Sequence, residues 1–208
     1  MKYLKMINEM FVDEHIIYCV DNNDIKCVKN YLENGYKKDL DKLLKTTIKN
    51  NFVSMFDLIM KYVDIKSINL FDAFENYYMF EELIKAGGDV NDINDHFDSL
   101  LIYSIIENNL TNFNLLIKQP DLNFYWENKF EKNAMDYAIV RNKHFLIGLL
   151  MNGMTMEDFI QAINKKKSPI IQRKIEYRLN GVLVFLEDKY PELYNQYIKL
   201  TKAKEFNI

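Results

Sequence analysis

An Asn-Asn pair that closes one apolar segment and precedes another recurs along this chain, and it constrains the fold more than any other feature. The pair occurs at Asn22–Asn23, Asn50–Asn51 and Asn108–Asn109, with separations of 28 and 58 residues. The larger separation is about two periods of the smaller one. Self-similarity at such a spacing indicates a repeat protein, in which each unit buries its apolar face only by stacking on its neighbours.

The first two units align on these pairs without a gap, and three further units follow them. Each unit has a short helix, a turn rich in Asn in the clearest cases, and a longer helix whose apolar residues lie three or four positions apart. This spacing predicts amphipathic helices that pack on one face. The predicted stripes are Cys27, Val28, Tyr31 and Leu32; Met55, Phe56, Ile59 and Met60; and Phe80, Leu83 and Ile84.

The third to fifth units resemble the ankyrin repeat. Residues 86–91 read Ala-Gly-Gly-Asp-Val-Asn, close to the Gly-Ala-Asp-Val-Asn ending of that family, and residues 133–138 stand where the family has Thr-Pro-Leu-His-Leu-Ala. No unit contains the Thr-Pro-Leu-His tetrapeptide, and Asn usually replaces the turn glycine. That replacement is physically sensible because Asn tolerates left-handed backbone angles. The Gly-Gly-Asp-Val-Asn ending argues against the main rival, a generic α-solenoid such as a tetratricopeptide array.

The resemblance covers residues 13–155 and implies an all-α ankyrin-repeat solenoid of helix-turn-helix units with short finger loops and helical caps. We expect an N-terminal cap helix in residues 1–12 and a C-terminal cap or small helical subdomain in residues 156–208, where the spacing is lost. The five repeats are expected at residues 13–40, 41–67, 68–97, 98–131 and 132–155.

The C-terminal tail carries its own helix signals. Thr155–Asp158 has the composition of a helix start, and Ser168–Pro169 predicts the start of a helix that runs through Leu179. We expect the following segment to break near Pro191. Residues 165–178 hold six Lys or Arg and one Glu, which is more typical of a solvated helix face than of a site for an acidic partner.

Composition and charge exclude several classes of protein. The 27 Lys and Arg residues are balanced by 30 Asp and Glu residues, which argues against a protein that coats nucleic acid. No apolar run approaches the ~20 residues that cross a bilayer, and the start of the chain lacks a signal-peptide pattern. We expect a cytoplasmic protein with no membrane or nucleic-acid partner. Its abundant Asn, Ile and Lys favour a viral, phage or host-associated microbial source.

A search for chemical motifs yields one weak metal-binding pattern and no active site. His15, Cys19 and Cys27 could supply three zinc ligands or a Cys-His nucleophile pair, but no fourth ligand is visible and buried free thiols are the expected state. The acidic stretch Asp89–Asp98 lacks the Gly and Glu that a calcium loop needs. Phosphate-binding and dinucleotide-binding glycine motifs are absent. We therefore expect no metal, no cofactor and no enzymatic activity.

Two predicted finger loops carry the residues best suited to contact a partner. Fingers are expected near Tyr36–Leu40, Asp64–Ile68, Asp89–Asp98 and Asn123–Lys132. The fourth concentrates aromatic side chains, which are enriched at interface hot spots, and the third places acidic and amide groups beside aromatic ones. The expected partner-binding residues are Asp89, Asp92, Asn94, His96, Phe97, Phe124, Tyr125, Trp126, Lys129 and Phe130.

The resemblance implies a non-catalytic protein–protein interaction module. We expect an adaptor or inhibitor that binds a partner protein, a host factor, through the concave face and the fingers. Two alternatives stay open. One is a small-ligand or enzymatic role that uses a pocket between the last repeat and the C-terminal helices. The other is a self-associating scaffold, in which the tail with Tyr190, Tyr194 and Tyr197 pairs two copies.

Overall fold

The computed structural model describes residues 2–141, 143–153, 155–156, 160 and 169–205, with only the backbone described for residues 2–10 and for parts of the last three helices. These residues are all-helical, as predicted, and their one extended pairing is an antiparallel bridge between Ile93 and Ser99. Two short 3-10 helices span Ile65–Ser67 and Leu70–Ala73. The α-helices are α1 Lys2–Asp21, α2 Ile25–Glu33, α3 Leu40–Lys49, α4 Val53–Ile59, α5 Tyr77–Lys85, α6 Leu100–Ile106, α7 Leu110–Leu116, α8 Ala134–Val140, α9 His144–Asn152, α10 Pro169–Lys189 and α11 Pro191–Glu205.

The chain divides into two compact units, Met1–Asp89 and Val90–Ile208. In the first unit, α1 packs on α2 and α3 packs on α4 within their respective pairs. Between pairs, α1 contacts α3 and α2 contacts α4. First helices therefore stack on first helices and second helices on second helices, which is how repeats bury a shared core.

The predicted apolar stripes form this core. Cys27, Tyr31 and Met60 are half-buried, whereas the other stripe residues lose almost all contact with solvent. The spacing identified the buried face because residues three and four positions apart lie on one side of a helix. The buried stripe residues are Val28, Leu32, Met55, Phe56, Ile59, Phe80, Leu83 and Ile84.

Two segments of the first unit differ from the sequence-based expectation. The predicted cap helix continues without interruption into the first helix of the first repeat, so both belong to α1. The short helix expected at the start of the third repeat is only the 3-10 turn Leu70–Ala73, which begins where the Asn69 side chain accepts from the Phe71 N–H at 2.9 Å. The turn still buries Leu70 and Ala73, so it fills the place of a first helix with fewer residues.

The Gly87–Gly88 pair has two separate structural roles. Gly87 has a φ of +93°, a left-handed conformation that side-chain-bearing residues rarely adopt. Gly88 has ordinary φ, but a Cβ there would lie 2.7 Å from Leu70 Cδ2 and 3.0 Å from the Leu83 carbonyl oxygen. Glycine is therefore required at position 87 by the left-handed turn and at position 88 by the close approach of Leu70 and Leu83.

Asn residues supply the left-handed turns between paired helices, as predicted. Asn23, Asn51 and Asn108 have φ values of 55°, 57° and 57°. In the first two pairs the second Asn is left-handed; in the third pair it is the first Asn, and Asn109 caps α7 by accepting from the Asn112 N–H at 3.0 Å. The left-handed residues Asn51 and Asn108 are therefore separated by 57 residues, one fewer than the 58 residues between the Asn-Asn pairs.

Replacement of Asn23 tests this role of Asn. We expect Asn23→Ala to lower the free energy of unfolding by about 1 kcal/mol, because Ala tolerates a left-handed φ poorly. Asn23→Gly should change it by less than about 0.5 kcal/mol, because Gly adopts that conformation without a Cβ clash. Urea denaturation of the two variants measures the difference, and equal destabilisation by both would contradict this account.

The structure corrects the expectation of free thiols. Cys19 of α1 and Cys27 of α2 form a disulfide, with their Cα atoms 6.0 Å apart. The two residues are eight positions apart in sequence, and only the packing of α2 back onto α1 brings them together. The intervening turn includes the left-handed Asn23. Sequence reasoning placed both residues on buried faces but did not predict that the two side chains face each other.

In the second unit, the pairs α6–α7 and α8–α9 form, α6 packs on α8, and α10 packs on α8, α9 and α11. Two glycines of α9 and its C-terminus make room for aromatic rings. A Cβ at Gly148 would lie 2.7 Å from a ring carbon of Tyr190, and a Cβ at Gly153 would overlap the ring of Phe124. The rings of Tyr190 and Phe124 therefore pack directly on the backbone of α9 and of the residue that follows it.

The C-terminal helices agree only in part with prediction. α10 runs from Pro169 to Lys189, so the expected end at Leu179 is wrong; Gly181 lies within the helix without ending it. The break near Pro191 is confirmed, since α10 ends at Lys189 and α11 begins at Pro191. Its cause is that helical backbone angles are disfavoured in the residue before a proline. The predicted helix start at Thr155–Asp158 lies largely outside the described residues. Residues 165–168 of the basic stretch also lie outside the described residues, and residues 169–178 are described in backbone only, apart from the exposed Arg173. None of the described helices combines the length and the apolar character that a bilayer span requires.

Candidate interaction surface

The third finger is organised by one asparagine. Its Val90–Asp98 portion lies in the second unit. The Asn94 side-chain oxygen accepts from the His96 and Asp98 N–H groups at 2.9 and 3.0 Å, and the Asn94 carbonyl accepts from the Phe97 N–H at 2.9 Å. This Asx-type turn places Phe97 in a left-handed conformation, with a φ of 61°, at the tip of the finger.

The fourth finger repeats this turn 34 residues later. The Asn128 side-chain oxygen accepts from the Phe130 and Lys132 N–H groups at 3.0 and 3.3 Å, and the Asn128 carbonyl accepts from the Glu131 N–H at 2.9 Å. Glu131, with a φ of 55°, stands at the left-handed position. Phe130 is therefore the structural equivalent of His96, and Glu131 is the equivalent of Phe97.

Asn91 joins the bases of the two fingers. Its side-chain amide donates to the Asp121 carbonyl at 2.8 Å, and its side-chain oxygen accepts from the Asn123 N–H at 2.7 Å. A single side chain thus satisfies one donor and one acceptor of the neighbouring backbone. The final Asn of the Asp-Val-Asn motif acts as a connection between adjacent fingers.

Asn128 joins the fingers closer to their tips. It is buried, with 5% of its surface exposed, and its amide donates to the Asp98 carboxylate and to the Tyr137 hydroxyl oxygen at 2.9 Å. Burial raises the pKa of Tyr137, with a smaller opposing effect from the hydrogen bond of Asn128. The phenol therefore stays protonated at neutral pH. All polar groups of the Asn128 side chain have partners within this cluster.

Trp126 also connects the fingers. Its indole N–H donates to the Phe97 carbonyl at 2.7 Å, and its side chain is half-buried. Beside this contact, the Lys129 ammonium lies 3.1 Å from His96 Nδ1 and 5.2 Å from the centroid of the Phe130 ring. The sole tryptophan of the chain therefore holds one finger tip against the other while part of its ring faces solvent.

Large apolar side chains remain exposed on this braced framework. The exposed fraction is 52% for Phe97, 46% for Tyr125 and 55% for Phe130. Exposed aromatic residues that are held by a rigid backbone lose little conformational entropy on binding. We define the finger patch as His96, Phe97, Tyr125, Trp126, Lys129 and Phe130.

The remaining predicted site residues are not part of the finger patch. Asn94 shapes its turn, Asp92 accepts from the Leu100 N–H through its carbonyl at 3.3 Å, and Phe124 packs on Gly153. Asp89 belongs to the other compact unit and is not placed with them.

Sequence reasoning missed four residues that build the patch. They are Asp98, Asn128, Lys132 and Tyr137. A signal for one of them was present, since Asn128 stands five residues before the helix-capping Asn133, as the predicted Asn94 stands five residues before the helix-capping Ser99.

A surface cavity of about 560 Å³ bears on the small-ligand alternative. Its described lining residues come from α10, and the polar side chains among them are Asn180 at one end and Asp188 at the other. Eight helical positions separate them by about 12 Å along the axis. Among the described lining residues, therefore, these two polar groups do not converge on one point as they would in a typical small-ligand site.

Comparison with known proteins identifies the architecture. No protein-family model matches this sequence, and neither does any curated protein. Among solved structures, the crystal structure of the ankyrin repeat protein EF0377 matches with a TM-score of 0.54 and 18% sequence identity, over 66% of this chain and 80% of that chain. An identity this low is evidence for the fold alone. With its helix pairs, Asn turns and finger loops, this chain has the ankyrin-repeat fold in a divergent form.

Proposed function

We propose that this chain is a non-catalytic interaction module, an adaptor or an inhibitor, that binds a partner protein through the finger patch. The observation that carries the proposal is the exposure of Phe97 and Phe130 on turns that hydrogen bonds hold in place. Exposure of one phenylalanine near the tip of each finger gives the unbound protein no stability. A partner would cover them.

The framework beneath the patch favours binding without rearrangement. Asn91, Asn128 and Trp126 fix the two fingers to each other through side-chain hydrogen bonds. Binding is tighter when fewer loops and side chains must become ordered in the complex, because that ordering costs free energy. Lys129 adds a charged group at the edge of the patch, where polar contacts set orientation and specificity.

The fold supports the proposal in a more general way. Repeat architectures present extended surfaces, and residues that the core does not need are free to specialise there. A fold alone does not define a function, so the finger patch is the basis on which a binding role is assigned.

The test compares the intact chain with the double variant Phe97→Asn/Phe130→Ala in affinity capture from a lysate of the natural source or its host. Asn is chosen at position 97 because it tolerates the left-handed φ of 61°. Recovery of the true partner should fall at least about 10-fold, because truncation of hot-spot residues costs more than ~1 kcal/mol each. Titration of the purified partner then gives the ratio of the two dissociation constants.

Phe11→Ala is the matched control. Phe11 is exposed to 63% on α1, outside both fingers, so its removal should leave recovery unchanged. Circular dichroism establishes that every variant is folded. Equal recovery by the wild-type chain and the folded double variant would overturn the proposal.

A further inference from the structure

A cluster of three metal-ligating side chains lies in the first unit, whereas the finger patch belongs to the second. His15 and Cys19 project from α1, and Cys27 projects from the first turn of α2. One ligand atom from each residue lies within 4.8 Å of the other two. In sequence these residues span only 13 positions, but the turn between the helices is required to make them converge.

The spacing of the cluster suits a tetrahedral zinc ion. His15 Nδ1 lies 3.9 Å from Cys19 Sγ. Zinc binds sulfur at about 2.3 Å and imidazole nitrogen at about 2.0 Å, which places the two ligand atoms of a tetrahedral site about 3.6 Å apart. The Cα atoms of the two cysteines are 6.0 Å apart. A small adjustment of side chains, without movement of either helix, would bring three ligands to one ion.

The surroundings of the cluster support ligation and access. The Tyr31 ring packs edge-on against the imidazole, so a neighbour on α2 orients His15. The Tyr31 hydroxyl lies 2.7 Å from His15 Nδ1 and would have to give up this nitrogen to a bound ion. Cys27 is the third residue of α2, where the helix N-terminus favours a negatively charged thiolate. His15 is exposed and Cys27 is half-buried, so an ion can enter from solvent.

We propose that reduction of the Cys19–Cys27 disulfide creates a zinc site of two thiolates and the His15 imidazole, with water at the fourth position. Oxidation reverses it. The two protein thiolates give two electrons to a low-molecular-weight disulfide, the protein S–S bond forms, and the S–S bond of the reagent breaks. Two reagent thiolates and the zinc ion leave. The first helix pair would thus exchange a covalent crosslink for a metal crosslink according to the thiol redox state.

The test is zinc titration of the intact chain before and after reduction with a phosphine, using a chromogenic chelator as competitor. We expect the reduced chain to bind one zinc ion and the oxidised chain to bind at least 100-fold more weakly. Cobalt substitution of the reduced chain should give the thiolate-to-metal charge-transfer band and the visible bands of a tetrahedral site.

Variants separate ligation from a general effect on the fold. Cys19→Ser should lower zinc affinity at least about 100-fold and His15→Ala at least about 10-fold. Tyr31→Phe keeps the ring and removes the hydroxyl that competes for His15 Nδ1, so it should not lower the affinity. His96→Ala, which removes another exposed histidine, should leave the affinity unchanged. The proposal fails if the reduced wild-type chain binds zinc no more tightly than the oxidised chain, or if its cobalt form lacks the charge-transfer band. Both readouts use the wild-type chain, so an unfolded variant cannot obscure the result.

Discussion

Phe80→Ala is expected to lower the free energy of unfolding of the first unit by about 3–5 kcal/mol. Phe80 lies in α5 and is fully buried, with none of its surface exposed. It packs edge-to-face against Phe74, with ring centroids 5.6 Å apart. The variant loses the transfer free energy of the ring, leaves a cavity that close-packed neighbours fill only in part, and breaks an aromatic pair.

Denaturant titration followed by far-ultraviolet circular dichroism measures this loss. Phe11→Ala is the control, because it deletes the same side chain from an exposed position and should change stability by less than about 0.5 kcal/mol. A loss of under 1 kcal/mol for Phe80→Ala would show that the core of this unit is not packed as described.

Asn128→Ala is expected to lower the free energy of unfolding of the second unit by about 2–3 kcal/mol. The substitution removes the amide that donates to Asp98 and Tyr137 and the oxygen that accepts from the backbone of its own finger. The larger part of the cost comes from Asp98, which is buried and loses a hydrogen-bond donor, because an unpaired buried polar group costs about 1–3 kcal/mol or more if charged.

Asn94→Ala provides the comparison, since Asn94 makes the same turn bonds in the third finger without being buried. We expect it to cost about 1 kcal/mol. Hydrogen exchange localises the effects: Asn128→Ala should increase exchange in both fingers, and Asn94→Ala mainly in its own. Equal stability losses for the two variants would mean that the connection between the fingers contributes nothing.

The sequence predicted the elements whose signals are local. Apolar spacing identified the buried faces of α2, α4 and α5, and the Asn-Asn pairs identified the turns at Asn23 and Asn51. These features depend on residues within one helix or one turn, where helical periodicity and backbone preference act directly. The Gly-Gly-Asp-Val-Asn motif predicted the fold class for the same reason.

Features that depend on distant residues were missed or misjudged. The burial of Asn128 depends on Asp98, 30 positions away, and no local pattern reports it. Tryptophan is a residue type enriched at interface hot spots, yet the Trp126 indole N–H already donates a hydrogen bond to the neighbouring finger. The continuous α10 is another case, because packing on α8 and α9 overrides the weak helix propensity of Gly181.

The contact of Asn91 with the backbone at Asp121 and Asn123 has a consequence for engineering. The fingers are also joined nearer their tips by Trp126 and Phe97. An insertion or deletion between these two contacts in one finger would separate one of them, so the two loops cannot vary in length independently. A transplant of the fourth finger alone into another repeat scaffold would carry its aromatic residues without their geometry. The smallest portable piece runs from Asn91 to Tyr137, because it must include both of these residues, Asp98 and both tips.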